Sequence, residues 1–430
     1  MKKICVSILF LLLIFNILFI NTSYGVDTSN LNVFSPSVIL IDSKSGKTIY
    51  EKNSNQVLYP ASVTKIMTAI LAIENCKLDE RATASYNAVM SVPVGYSHAN
   101  ILVGEELSIE NLLYATLIPS ANDAANILAE HVSGSISSFV TVMNTKALEL
   151  GCKNTNFVNP SGIHDDNHYT TSYDLSLIAK YAMQNEMFRK IVSTKSYTLP
   201  STEAYPKNDR MLNTTNELLK VNNSSSPSNY YYEYANGIKT GFTNKAKETL
   251  VASAVKDNME FIIVVMNSEK TPDGFSARFT DTKNLFNFAF NTYEMKNIVE
   301  ANSVVEQVTI SNATSKTKNL DLLISNSISG IVEKSDLYNI APEIKLNENL
   351  KAPILKDTVV GTISYNLNGV EYKSNLLAAN NVIKSNFIGI LFTIIIVLFI
   401  GFIIRNLFYG KPKKKKRRKN TSNSYKMKYY

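Results

Sequence analysis

Three cysteines and four histidines among 430 residues leave little material for a metal centre or a disulfide framework. Cys5 lies in an apolar leader, so only Cys76 and Cys152 belong to the body of the chain. They allow one disulfide, which a chain of this length does not need in order to build its core. There is no Cys-x-x-Cys pair, and His98, His131, His164 and His168 are scattered, so each reads as a surface or structural residue rather than a ligand. No metal and no other cofactor is expected. Internal repeats are also missing. A hydrophobic share of 45% against 19% charged residues excludes a disordered chain.

Acidic residues are absent from both ends, and neither end is globular. Lys2 and Lys3 precede the almost wholly apolar run Ile4 to Ile20, and small or polar residues follow up to Gly25. That is the order of a secretory signal peptide over residues 1–25. An uncleaved anchor is the competing reading, and it leads to export as well. Near the other end, Phe387 to Ile404 is apolar over 18 residues apart from Thr393. At about 1.5 Å per residue this just spans a bilayer. Residues 385–408 are therefore expected to form a transmembrane helix and 409–430 a basic cytoplasmic tail, because positive flanks stay inside.

The pI of 9.0 comes from that tail. Arg405 to Tyr430 holds 11 Lys and Arg and no acid. With these and the two leader lysines set aside, the exported body carries 31 bases against 36 acids. Beside a membrane span the tail is expected to meet anionic lipid headgroups, not nucleic acid.

Two blocks emerge from the patterning. The first, residues 32–291, mixes strands and helices. "SVILIDSKSGKTIYEK" reads as a hairpin around Ser45-Gly46, and "ASVTKIMTAILAIE" as a helix apolar around most of its circumference. "SIENLLYATLIPSANDAANILAEHV" reads as two helices parted at Pro119, and "ETLVASAVKDNMEFIIVVMN" as a pair of Val- and Ile-rich strands. The second block, residues 292–380, shows short strand-like runs and an Asn368-Gly369 hairpin signal, hence a small β domain.

Ser-x-x-Lys occurs three times, at Ser62-Lys65, Ser253-Lys256 and Ser315-Lys318. Ser253 falls in a predicted strand, where an offset of three points side chains to opposite faces. Ser315 sits in a polar stretch with nothing to orient it. Only Ser62 opens a buried helix, where residues three apart share a face. A serine hydroxyl needs a neighbouring base, and a buried lysine near a second cation can be one. Ser120 and Asn122, in "PSAND", lie at the turn between two helices. Lys239-Thr240-Gly241 occurs once, on an expected edge strand, where Gly241 lets a ligand approach the backbone.

Together these residues resemble the signatures of the penicillin-binding proteins and serine β-lactamases. More narrowly, the chain resembles a low-molecular-mass penicillin-binding protein, a serine-type D-alanyl-D-alanine carboxypeptidase. The resemblance runs from about Val33 to Phe290 through "YPASVTKIMTA", "LLYATLIPSANDAAN", "FVNPSGIHDDNHYTTSYDLSLIAKYA" and "GIKTGFTNKA", and the β block and C-terminal anchor also fit. It implies an α+β fold: a transpeptidase-like antiparallel sheet flanked by helices, then a small all-β domain and a membrane helix. It implies removal of the terminal D-alanine from peptidoglycan stem peptides, with β-lactam antibiotics as inhibitors. Ser62 would be the nucleophile, Lys65 its base and Ser120 a proton relay. Asn122 would position the substrate, Lys239 and Thr240 would hold its carboxylate, and the N–H groups of Ser62 and Phe242 would form the oxyanion hole.

Two departures adjoin this strand. Asn236 stands where the family commonly has an acid, and Ala246 is followed by Lys247-Glu248-Thr249 rather than by the usual small and aromatic residues. The Glu-x-x-Leu-Asn element of class A β-lactamases is missing: the chain reads "ELGCKNTN" from Glu149. A D,D-endopeptidase of the same family, or a silent peptidoglycan-binding protein, are the alternative readings.

Overall fold

The computed structural model describes residue 28 and residues 31–221, 230–334, 341–367 and 369–409. The expected signal peptide and nearly all of the basic tail lie outside the described residues, as does Asn368. The chain groups into two compact units. The first runs to Lys296 and takes in the strand segment from Gly330; the second holds most of the remaining chain.

The first unit begins with the hairpin β1 (Ser37–Asp42) and β2 (Thr48–Lys52), then a 3-10 turn (Ala61–Thr64) leading into α1 (Lys65–Asn75). A short pair, β3 (Arg81–Thr83) and β4 (Glu106–Ser108), brackets α2 (Tyr86–Met90). Next come α3 (Ile109–Leu117), α4 (Asn122–Ser133), α5 (Ile136–Glu149), α6 (Ser172–Ala182) and α7 (Glu186–Val192). A second short pair, β5 (Ser196–Thr198) and β6 (Met211–Asn213), precedes the long strands β7 (Ala235–Thr243), β8 (Lys247–Lys256) and β9 (Met259–Ser268) and the helix α8 (Ala277–Thr292).

The main sheet is antiparallel in the order β2-β1-β9-β8-β7. Its middle strands are buried on both faces, which explains their unbroken Val and Ile runs. Alternate residues go to different cores. Ile39, Ile41, Ile262 and Val264 pack with α1, α3, α4 and α6, while Val38, Leu40, Ile263 and Val265 pack with Phe279, Phe286 and Phe290 of α8. Strand β7 is an edge, as its motif led us to expect.

A two-stranded sheet joins β10 (Tyr293–Val299) to β13 (Ile328–Glu333). Among the described residues, the second unit is all-β apart from its terminal helix. It is a five-stranded sheet in the order β11-β12-β16-β15-β14, formed by β11 (Val304–Thr309), β12 (Asn319–Ile324), β14 (Glu343–Leu346), β15 (Val359–Leu367) and β16 (Val370–Ala378). Gly369 turns between the last two with φ 85°. Helix α9 (Phe387–Phe408) has 22 residues, none of them buried, and a stretch of mean hydropathy 3.2. At about 33 Å it is long and apolar enough to cross a membrane.

Candidate active site

Ser62 does not open an α-helix directly. It sits in the 3-10 turn Ala61–Thr64, and the α-helix begins at Lys65. The tighter winding serves the pair, because residues three apart eclipse one another in a 3-10 turn. Lys65 Nζ lies 3.2 Å from Ser62 Oγ. Ala61 enters the turn in the left-handed region, φ 52°. His168 accepts from the Val158 N–H at Nδ1, so its Nε2–H donates to Thr64 Oγ1, which donates in turn to the Ala61 carbonyl. Thr249 Oγ1, from the departure after Ala246, donates to the Pro60 carbonyl.

The Lys65 amine is wholly buried and has two further partners, Asn122 Oδ1 at 2.8 Å and the Ser161 carbonyl at 2.6 Å. Burial first, then the Lys239 charge, holds its pKa well below the ordinary lysine value, against a weaker opposite pull from Asp123. In the neutral state its two hydrogens serve the two carbonyl oxygens, and the lone pair is left facing the Ser62 hydroxyl. Asn122 is fixed at its other end, where Nδ2 donates to the Ser97 carbonyl. Next to it, Asp123 accepts from the N–H groups of Ala99 and Ile101 and so ties down the loop carrying Tyr96 and Ser97. Ser120 precedes α4 with a strained backbone, φ 70°.

Beside this buried network lies a cavity of about 460 Å³. Ser62, Ser120 and Asn122 face Thr240, Gly241 and Phe242 of the edge strand across it, with Ser97, Thr215 and Arg278 also on its wall. Gly241 is required by proximity: a Cβ there would meet Thr249 Oγ1 at 2.3 Å and the Ser62 nitrogen at 2.9 Å. Lys239 is buried and donates to the Thr240 carbonyl. Burial and then the Arg278 guanidinium lower its pKa to about 7. Phe242 is 60% exposed on the cavity wall. All the residues singled out in the sequence thus meet at one place, and the rival serines do not. Ser253 is buried in β8, and Ser315 is exposed in the other unit.

Sequence reasoning missed three contributors. The Ser161 carbonyl comes from 96 residues away. It is presented by a turn in which Gly162, φ 82°, leaves no room for a Cβ against the Ala61 carbonyl. Arg278, from the start of α8, donates to the carbonyls of Gly241 and Thr249 and pairs loosely with Glu248 at 3.7 Å. Thr215 shares a hydrogen bond with Thr240. Only the "PSG" match offered any signal for the first, and nothing local marked the others.

Known proteins with this arrangement are numerous. Residues 25–270 match the D-alanyl-D-alanine carboxypeptidase family, and residues 293–384 match the C-terminal domain of penicillin-binding protein 5. The chain is 36% identical to D-alanyl-D-alanine carboxypeptidase DacF of Bacillus subtilis, over 85% of this chain and 90% of that one. Among solved structures it resembles penicillin-binding protein 3 of Streptococcus pneumoniae, with TM-score 0.68 and 25% identity over 81% of this chain and 99% of that one. It also resembles penicillin-binding protein 5 of Haemophilus influenzae, with TM-score 0.63 and 27% identity over 82% and 98%. With the paired Ser62 and Lys65 facing an edge strand across one cleft, the chain belongs to the D-alanyl-D-alanine carboxypeptidase family of low-molecular-mass penicillin-binding proteins.

Proposed function

We propose that the protein removes the terminal D-alanine from peptidoglycan stem peptides through an acyl-enzyme on Ser62. The observation that carries this reading is the 3.2 Å approach of Lys65 Nζ to Ser62 Oγ, with Thr240 across the same cleft and Lys239 buried behind it, bonded to the Thr240 carbonyl. Ser62 Oγ attacks the carbonyl carbon of the D-Ala-D-Ala bond while its proton passes to the neutral Lys65 amine. The oxyanion is met by the N–H groups of Ser62 and Phe242, a contribution of about 3 kcal/mol in comparable sites. As the C–N bond breaks, Ser120 relays the proton to the departing amine. Water then attacks the ester, gives its proton back through Lys65 and frees Ser62. Asn122 holds the amine and the substrate backbone. Lys239 and Thr240 take the terminal carboxylate, which makes the C-terminal bond the preferred one.

Helix α9 supports a single-pass anchor, with the active site on the extracytoplasmic face and the basic tail against the inner lipid surface. β-Lactams would acylate Ser62 as substrate mimics. The test is D-alanine release from a peptide ending in D-Ala-D-Ala by the full chain in detergent, with Ser62→Ala alongside. Release by the wild type alone supports the reading. Penicillin adduct persisting on Ser62→Ala would sink it.

A further inference from the structure

The two helices that bring Lys65 and Asn122 together also meet at their other ends. Helix α1 stops at Cys76, and α4 carries His131 in its last turn. Between them the turn Lys77–Glu80 brings in a carboxylate, and the Glu80 N–H is held by the Lys77 carbonyl. Cys76 Sγ, a Glu80 oxygen and a His131 ring nitrogen all lie within 4.8 Å of one another. Glu80 Oε1 and His131 Nε2 are 3.0 Å apart. Both cysteines of the body are free thiols, which removes the one disulfide the sequence allowed.

We propose that Cys76, Glu80 and His131 form a zinc site that clamps the C-terminal ends of α1 and α4. The donor set of one sulfur, one imidazole nitrogen and one carboxylate suits zinc and disfavours magnesium and calcium, which take oxygen donors. Ligand atoms around a tetrahedral zinc stand roughly 3.3–3.6 Å apart, given bonds of about 2.0–2.3 Å. The present spacing therefore needs only a small side-chain closure. The charges balance: a thiolate and a carboxylate neutralise the ion, His131 binds as the neutral imidazole, and water takes the fourth position. On binding, the Cys76 proton leaves for solvent and the His131–Glu80 hydrogen bond is replaced by two metal bonds.

Three features of the surroundings agree. The second oxygen of Glu80 accepts from the Lys77 N–H at 3.2 Å, the kind of outer contact that orients a ligating carboxylate. Both helices direct the negative ends of their dipoles here, which favours a cation. Glu80 is exposed and its two partners are partly so, leaving an entry path. The site is distant from the chemistry, about 16 Å along α1 from Lys65, so its effect is on the pairing of the two helices and not on a chemical step.

The test uses the full chain in detergent, made without a polyhistidine tag and stripped with chelator. Zinc is titrated against a chromophoric chelator, and Co²⁺ serves as a spectroscopic probe. The wild type should take one equivalent of tight zinc, show a thiolate-to-cobalt charge-transfer band and gain thermal stability with the metal. Cys76→Ser and His131→Gln should each weaken zinc roughly a hundredfold or more, since even outer contacts are worth 10–100-fold. Cys76→Ser should lose the band and Cys152→Ser keep it, with circular dichroism checking that each variant folds. Zinc held no more tightly by the wild type than by Cys76→Ser would overturn the site. So would a cobalt band that survives Cys76→Ser.

Discussion

Asn122 Oδ1 accepts a hydrogen bond from Lys65 Nζ at 2.8 Å across 57 residues of sequence. That contact places a neutral acceptor against an amine whose pKa burial and the Lys239 charge already hold down. Replacing the amide by a carboxylate in Asn122→Asp puts a negative charge at hydrogen-bond distance and stabilises the ammonium. The apparent pKa of the base should rise by about 1–3 units. Acylation by a fluorescent penicillin should slow about tenfold or more at neutral pH and recover as pH rises. An acid limb that stays in place would show that Lys65 is not the titrating group.

Lys239 has a pKa of about 7, so in the free enzyme its charge fades above neutrality. If it holds the substrate carboxylate, kcat/KM for a peptide acid should fall as pH rises through that value. The same peptide with an amidated C-terminus should bind poorly throughout and lack this limb. Identical alkaline limbs for the acid and the amide would detach Lys239 from carboxylate recognition.

Gly241→Ala introduces a methyl group where only 2.9 Å separates the Cβ position from the Ser62 nitrogen. Relief requires β7 or the 3-10 turn to shift. Overpacking of this kind costs about 1–3 kcal/mol, visible as a lowered unfolding midpoint. A displacement near 1 Å at the nucleophile should slow acylation about a hundredfold. Wild-type acylation in Gly241→Ala would mean that the strand has slack the structure does not display.

His168 is buried and neutral, with its pKa pushed down from 6.5 to about 4 by burial. Between those values the unfolded chain holds a proton that the folded chain lacks. Stability is therefore complete above about pH 6.5 and is lost as pH falls towards 4, by up to about 3 kcal/mol from this group. Denaturant unfolding of wild type and His168→Gln across this window measures it. The variant should show a shallower slope, and equal slopes would assign the acid sensitivity elsewhere.

Much of this was legible in the sequence because it is local. The hairpin at Ser45-Gly46, the break at Pro119 and the paired strands β8 and β9 follow from turn residues and periodicity. The strand carrying Lys239-Thr240-Gly241 was expected at a sheet edge, and β7 lies there. The hidden parts depend on contacts between distant residues. The Ser161 carbonyl, Arg278 and the Cys76–Glu80–His131 cluster have no spacing rule, because separate elements bring them in. The 3-10 winding at Ser62 was hidden too. It rests on Thr64, His168 and Gly162 pinning Ala61 from outside the helix's own pattern.

Asp123 stands outside the cavity wall, yet its carboxylate fastens the loop of Tyr96 and Ser97 while its charge pulls Lys65 back towards protonation. One side chain therefore works as a tuning screw on two settings, the firmness of the rim and the acidity of the base. Substitution at this buried residue outside the cavity wall would therefore shift the base and loosen the rim while leaving Ser62 and Lys65 themselves unchanged.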